Sequence, residues 1–183
     1  MRSLVLALAM LAGVPRGAVS SPDARQTAAL QSIVSATGET PRYQADPTTG
    51  NVIFMTGRLS PPSALPAREA ARGFLRGAGA LFGLSDPDRE LEPSTERVDG
   101  DGTAHVRFRQ RWQGVEVWAS ELIVHLDRTG GVTCVSGRIR PSPELDVRPR
   151  VDSLAALATV RALLPGSSVV SLERAVFAWD RPP

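Results

Sequence analysis

The stretch Ala104-His105-Val106-Arg107-Phe108-Arg109-Gln110-Arg111-Trp112-Gln113-Gly114-Val115-Glu116-Val117 decides how this chain folds. From Ala104 the residues alternate: Ala104, Val106 and Phe108 fall on one side, His105, Arg107, Arg109 and Arg111 on the other. A period of two marks a strand with one buried face, because successive side chains of an extended backbone point to opposite sides. Gln113-Gly114 then turns the chain, and Leu122, Val124 and Leu126 form the next apolar face. Both apolar sets carry even numbers. A two-residue loop between Trp112 and Val115 would pair even positions with odd ones. An odd loop, or a bulge within Gly114 to Ala119, is therefore needed to bring both sets onto one core. We expect a three-residue loop, Gln113 to Val115, which sets Val106 opposite Leu122 and Arg107 opposite Glu121. That gives an apolar pair inside and an ion pair outside.

Working outward, Asp99-Gly100-Asp101-Gly102 has hairpin-turn chemistry. It also looks like the opening of a calcium loop. Its glycine stands at the fourth place rather than the sixth, and no Glu fills the twelfth, so the turn is preferred. Gly130-Gly131 turns the chain into a further strand from Val132 to Ile139. Upstream, Ala67, Ala70, Ala71, Phe74, Leu75, Ala78, Leu81 and Phe82 recur at helical spacing, with Arg68, Glu69, Arg72 and Arg76 on the other side. Pro66 suits the first turn of this amphipathic helix and Gly83 its end. Gly73, Gly77 and Gly79 each weaken it by up to about 1 kcal/mol relative to alanine, so packing of Phe74 and Leu75 must compensate. The fold class is α+β: one helix packed on an antiparallel sheet of three to five strands, spanning residues 63–140.

Residues 21–62 are mixed in composition and read as an extended N-terminal region with one possible strand, Asn51 to Met55. Residues 141–150, with three prolines, read as a linker. Asp152 then caps a helix from Leu154 to Leu164, which Pro165-Gly166 stops, and Val169 to Trp179 reads as a strand. Residues 151–183 are thus expected to begin a second, incomplete α+β unit. Thr159 and Arg161 are the only polar positions of that helix, so one strand cannot cover it. It must dock on the first unit, meet another chain, or await sequence beyond Pro183, and the last reading, truncation, is preferred.

The chain opens with Met1-Arg2-Ser3 and an apolar run from Leu4 to Val14, too short to span about 30 Å of hydrocarbon. With Arg2 in front and Ala18-Val19-Ser20 behind, residues 1–20 read as a signal peptide. The protein is therefore expected to be secreted or periplasmic, with no membrane association after cleavage. Cys134 is the only cysteine, so no internal disulfide can form and the core alone must hold the fold. Twenty-one basic residues, all Arg, face 19 acidic ones, a net charge of +2 that argues against a nucleic-acid partner unless the charge is clustered.

From Ala67 to Ile139 the chain resembles the fungalysin/thermolysin propeptide family. The matching pieces are Ala70-Ala71-Arg72-Gly73-Phe74-Leu75, Leu81-Phe82-Gly83-Leu84, the His105 to Val117 stretch, and Glu121-Leu122-Ile123-Val124-His125-Leu126-Asp127 running into Gly131-Val132-Thr133. Residues 151–179 are similar to the start of the PepSY module that follows in such prosegments. The resemblance implies the prosegment of a secreted zinc metallopeptidase, assisting folding and inhibiting the catalytic domain in cis or in trans. The sequence contains no His-Glu-x-x-His, so zinc is expected only in a peptidase domain absent from this chain, and no cofactor is expected here. The alternative is a free-standing secreted binding protein or trans-acting peptidase inhibitor. Neither reading makes the chain itself an enzyme.

No catalytic, metal or cofactor residues are assigned. In the expected register His105 and His125 lie diagonally on the polar face near Glu121. Two imidazoles and a carboxylate can ligate a metal, yet zinc needs three or four placed ligands, and a solvated polar row is preferred. Cys134 lies in a strand, where neither a helix N-terminus nor an adjacent base activates it. Arg107, Arg109 and Arg111 form a basic row beside Trp112, with Glu116, Glu121 and Asp127 near enough to neutralise much of it. A solvated or internally paired face is preferred; contact with a peptidase domain comes next, and these three arginines are the candidate partner contacts.

Overall fold

The computed structural model describes residues 22–140, 145–166 and 173–176. The expected signal peptide and most of the strand expected from Val169 lie outside them. The first described element is a helix, α1 (Ala24–Thr37). The sequence reading leaves 21–62 extended apart from one strand, and here the structure corrects it. Asp23 caps α1 by accepting the Gln26 N–H at 2.7 Å, while Gln26 Oε1 accepts the Asp23 N–H at 3.0 Å. This reciprocal box satisfies two donors that a helix start otherwise leaves orphaned. Ala29 and Ile33 are buried on one side, with Leu30 packed beside them. The chain then forms β1 (Arg42–Ala45) and β2 (Val52–Thr56), the latter covering most of the expected strand.

The expected amphipathic helix is α2 (Ala67–Ala78), and it tightens into a 3-10 turn over Gly79–Phe82. A one-turn helix, α3 (Pro87–Glu90), leads into β3 (Leu91–Val98). β4 (Ala104–Trp112), β5 (Val115–Leu126) and β6 (Val132–Arg138) complete an antiparallel meander. The sheet order is β1-β2-β6-β5-β4-β3, so the sheet is wider than the expected three to five strands. Its one face is filled by α2 and the 3-10 turn. Ala71, Leu75, Leu81 and Phe82 pack with Met55, Val106, Phe108, Leu122, Val124 and Val135, all at most 1% exposed. Each of these side chains other than Ala71 contributes about 1.5–3 kcal/mol on burial, which offsets the helical glycines.

The even-numbered apolar sets of β4 and β5 do share this core, by a different route from the expected loop. Gln113 and Gly114 form a two-residue turn, both with positive φ (47° and 80°), and Trp112 pairs with Val115. This matches the twist of the flanking strands. Parity is then restored by a bulge. Arg111 pairs with Glu116 but Arg109 pairs with Glu121, so Gln110 alone faces Val117 to Ser120. Ala119 takes φ 56° within it. Beyond the bulge Phe108 pairs with Leu122, Val106 with Val124 and His105 with His125.

The C-terminal part begins with the expected helix, α4 (Ser153–Leu163), with Asp152 accepting the Ala155 N–H at 2.8 Å. None of its residues is buried among the described residues. β7 (Ala175–Val176) runs parallel to β5 at Glu116 and Val117, so it extends the first sheet. Val176 joins Val115 and Val117 in a small second core, against which Trp112 and Val147 pack.

Candidate functional site

The face of the sheet opposite α2 carries the odd-numbered side chains of β4 and, beyond the bulge, of β5. His105, Arg107, Glu121, Ile123 and His125 are all partly exposed there. Phe54 of β2 stands on the same face, because it pairs with Ser136, which in turn pairs with Ile123. Phe54 is 42% exposed, a large apolar group that stands with Ile123 on a mainly polar surface.

Each of the three candidate contact arginines has an acidic partner. Arg107 Nη1 donates to Glu121 Oε1. Arg109 Nη1 lies 3.4 Å from Glu116 Oε2, and Arg111 Nε donates to Glu92 Oε2 at 2.6 Å. Glu121 therefore meets Arg107 diagonally; its register partner is Arg109. Glu116 and Glu121 neutralise the row as expected. Asp127 does not, because it serves the next turn, accepting from the Thr129 N–H at 2.8 Å and the Gly131 N–H at 3.1 Å. Glu92, on β3, takes its place. The row is a mosaic of ion pairs in which exposed guanidinium and carboxylate groups alternate; each pair contributes about 0–1 kcal/mol to stability.

His105 and His125 are brought directly opposite one another rather than diagonal, with their Nδ1 atoms 2.7 Å apart. His105 Nε2 lies 2.8 Å from Asp99 Oδ2, and His125 Nε2 lies 3.5 Å from Ser136 Oγ. The carboxylate can only accept, so His105 carries a proton on Nε2; with the His105 ring neutral, His125 then donates from Nδ1. Burial, aided by the neighbouring His105, holds the His125 imidazole below its usual pKa. Glu121 is engaged with Arg107, so the set of two histidines and Glu121 that the sequence offered as the less favoured metal reading does not assemble. Among the described residues no group of three or more His, Cys, Asp or Glu side chains is placed to hold a metal ion. Cys134 pairs with His125 in register, and burial pushes its thiol up, away from the thiolate a nucleophile needs.

One polar group of residues was missed by sequence reasoning. Gln110 is fully buried within the bulge, where its Oε1 accepts from Ser120 Oγ and from the Arg140 N–H at 3.0 Å. Its Nε2 donates to the Arg140 carbonyl at 2.9 Å. Gln110 and Ser120 both carry even numbers, the core parity, and a polar pair at core parity was the available signal.

Comparison with known proteins matches residues 89–139 to the Fungalysin/Thermolysin Propeptide Motif, so the resemblance read from the sequence holds for this stretch. Over 113 residues the chain is 22% identical to Bacillolysin of Bacillus cereus, covering 60% of this chain and 20% of that protein. The chain thus spans about a fifth of that relative's length. The C-terminal domain of Bacillus megaterium YpeB aligns over 85% of this chain and 79% of its own, at 13% identity and a TM-score of 0.40. No helix among the described residues is long and apolar enough to cross a membrane.

Proposed function

We propose that this chain is the prosegment of a secreted zinc metallopeptidase, assisting the folding of a catalytic domain and inhibiting it until the two are separated. The observation that carries the reading is where the propeptide motif falls. Residues 89–139 run from α3 through β3, β4, β5 and β6, so the motif builds the four-stranded meander and its part-open face. A rigid sheet with one face on a core and one face toward solvent is a docking platform. Among the described residues no group of three or more metal-ligating side chains is assembled, and burial pushes the Cys134 thiol beside His125 away from its thiolate, so turnover is assigned to the partner domain.

Physically, a prosegment that binds the native state of its partner stabilises it by mass action. Covalent linkage raises the effective concentration to about the millimolar range, so modest contact affinity suffices in cis. Arg107, Arg109 and Arg111 remain the proposed contacts. Each can exchange an intramolecular carboxylate for one on the partner with little loss of stability. Zinc then belongs to the catalytic domain.

If the reading frame past the Pro183 codon encodes a catalytic domain, that domain is refolded from denaturant with and without the purified chain, and its peptidase activity is titrated with the chain. Raised refolding yield and stoichiometric inhibition are expected, both weakened at least tenfold by Arg107→Ala/Arg109→Ala/Arg111→Ala. Neither effect appearing would sink the prosegment reading. Inhibition that survives the triple replacement would leave the role standing and remove these contacts.

A further inference from the structure

We propose that His105 and His125 form a chelating site for a divalent transition ion of the nitrogen-preferring class, Ni(II) or Cu(II), on the part-open face of the sheet. The two residues are register partners on adjacent central strands, so their backbones are held by the sheet on both sides. Their Nδ1 atoms converge at 2.7 Å. Both outward nitrogens already have partners, Asp99 Oδ2 at 2.8 Å and Ser136 Oγ at 3.5 Å. Metal-bound imidazoles take this arrangement: a carboxylate or other acceptor on the far nitrogen fixes the ring and raises the basicity of the near one. Asp99 is itself steadied by Arg97, whose Nε lies 3.1 Å from its other oxygen.

Geometry selects the ion. With metal–nitrogen bonds of about 2.0–2.1 Å, a 2.7 Å separation corresponds to a nitrogen–metal–nitrogen angle of about 80–85°. That fits two neighbouring positions of an octahedral Ni(II) or a tetragonal Cu(II) ion. A tetrahedral zinc needs the nitrogens about 3.3 Å apart. Water fills the remaining positions, and His105, with a side chain 26% exposed, leaves the site reachable. The proton balance closes without net release. The Nδ1 proton that His125 gives to His105 in the empty site leaves to solvent, and Nε2 takes one up to donate to Ser136 Oγ.

The test uses the full chain prepared without a histidine tag and titrated with Ni(II) by calorimetry. One equivalent is expected to bind, more tightly than Zn(II). His105→Ala or His125→Ala is expected to weaken Ni(II) at least tenfold, and Asp99→Asn by about 10–100-fold, the usual loss on removing an outer partner. These are the only two histidines, so imidazole NMR signals of the unaltered protein report on this site alone. Both should broaden together on the first equivalent of paramagnetic Ni(II), a result independent of whether any variant folds. Undiminished Ni(II) binding by the double alanine variant, or imidazole signals indifferent to one equivalent, would overturn the proposal. The prosegment reading is untouched by either outcome.

Discussion

Replacing Gln110 by Leu removes the polar pin of the β4–β5 bulge while nearly keeping its volume. Gln110 is 0% exposed, and its amide makes three hydrogen bonds: from Ser120 Oγ, from the Arg140 N–H, and to the Arg140 carbonyl. At roughly 1 kcal/mol each, their loss costs about 3 kcal/mol. Arg140 N–H retains Ser120 Oγ at 3.0 Å as an acceptor, which keeps the cost from rising further. Against a total stability of about 5–15 kcal/mol this is a large fraction. Taking a urea slope of about 2 kcal/mol/M, the midpoint should fall by about 1.5 M. Ser120→Ala alone should cost about 1–2 kcal/mol, since its hydroxyl also reaches the Arg138 carbonyl at 3.2 Å. Because the two side chains share a bond, the double variant should cost less than the two singles together, by about 1 kcal/mol. Urea unfolding followed by tryptophan fluorescence measures all three, with Trp118 within the bulge and Trp112 beside it. A midpoint shift below about 0.25 M for Gln110→Leu, or strict additivity, would refute the claim that this network fixes the bulge.

Gly137→Ala should destabilise by about 3 kcal/mol or more, because the new Cβ would stand 2.1 Å from the Glu121 carbonyl oxygen at a φ of 136°; thermal unfolding measures it. Asp23→Ala, which breaks the capping box of α1, should cost about 1 kcal/mol and speed amide exchange in the first turn of that helix alone. Asp46 is held below the usual carboxylate range chiefly by the Thr48 N–H, with the Thr49 N–H and Arg138 adding to it. Its stabilisation is therefore present above the ordinary value of about 3.9 and lost as pH falls through the lowered folded value. Asp46→Asn should flatten that part of an acid unfolding curve, whereas an unchanged slope would show that Asp46 has no share in it.

Parity was enough to read which side of the sheet the residues of β4, and those of β5 beyond the bulge, occupy; before it the parity of β5 is reversed, with Val115 and Val117 buried. Val106, Phe108, Leu122 and Val124 are buried together, and the alternation alone required an irregularity between them. The bulge, Val117 to Ser120, overlaps the Gly114 to Ala119 window that the apolar spacing allowed, but which residues it takes is set by polar groups. Gln110 and Ser120 sit at core parity, where neither is stable without the other, and the four-against-one bulge is what lets them meet. Helix α1 was hidden for a related reason. Its buried side consists largely of Ala29 and Ile33, too small a stripe to stand out, although Asp23 and Gln26 already spelt its cap. Beyond the bulge the expected three-residue loop and the observed turn differ by two places in register, so side chains there keep their face and lose their expected neighbour, whereas Val115 and Val117 come to the buried side. That distinction decides what can be read from sequence about a site. A property of a face, such as the basic row of β4, survives a two-residue shift. A property of a pair does not. His105 meets His125 head-on, and Arg109 takes Glu121 as its register partner, only because the bulge lies where Gln110 puts it.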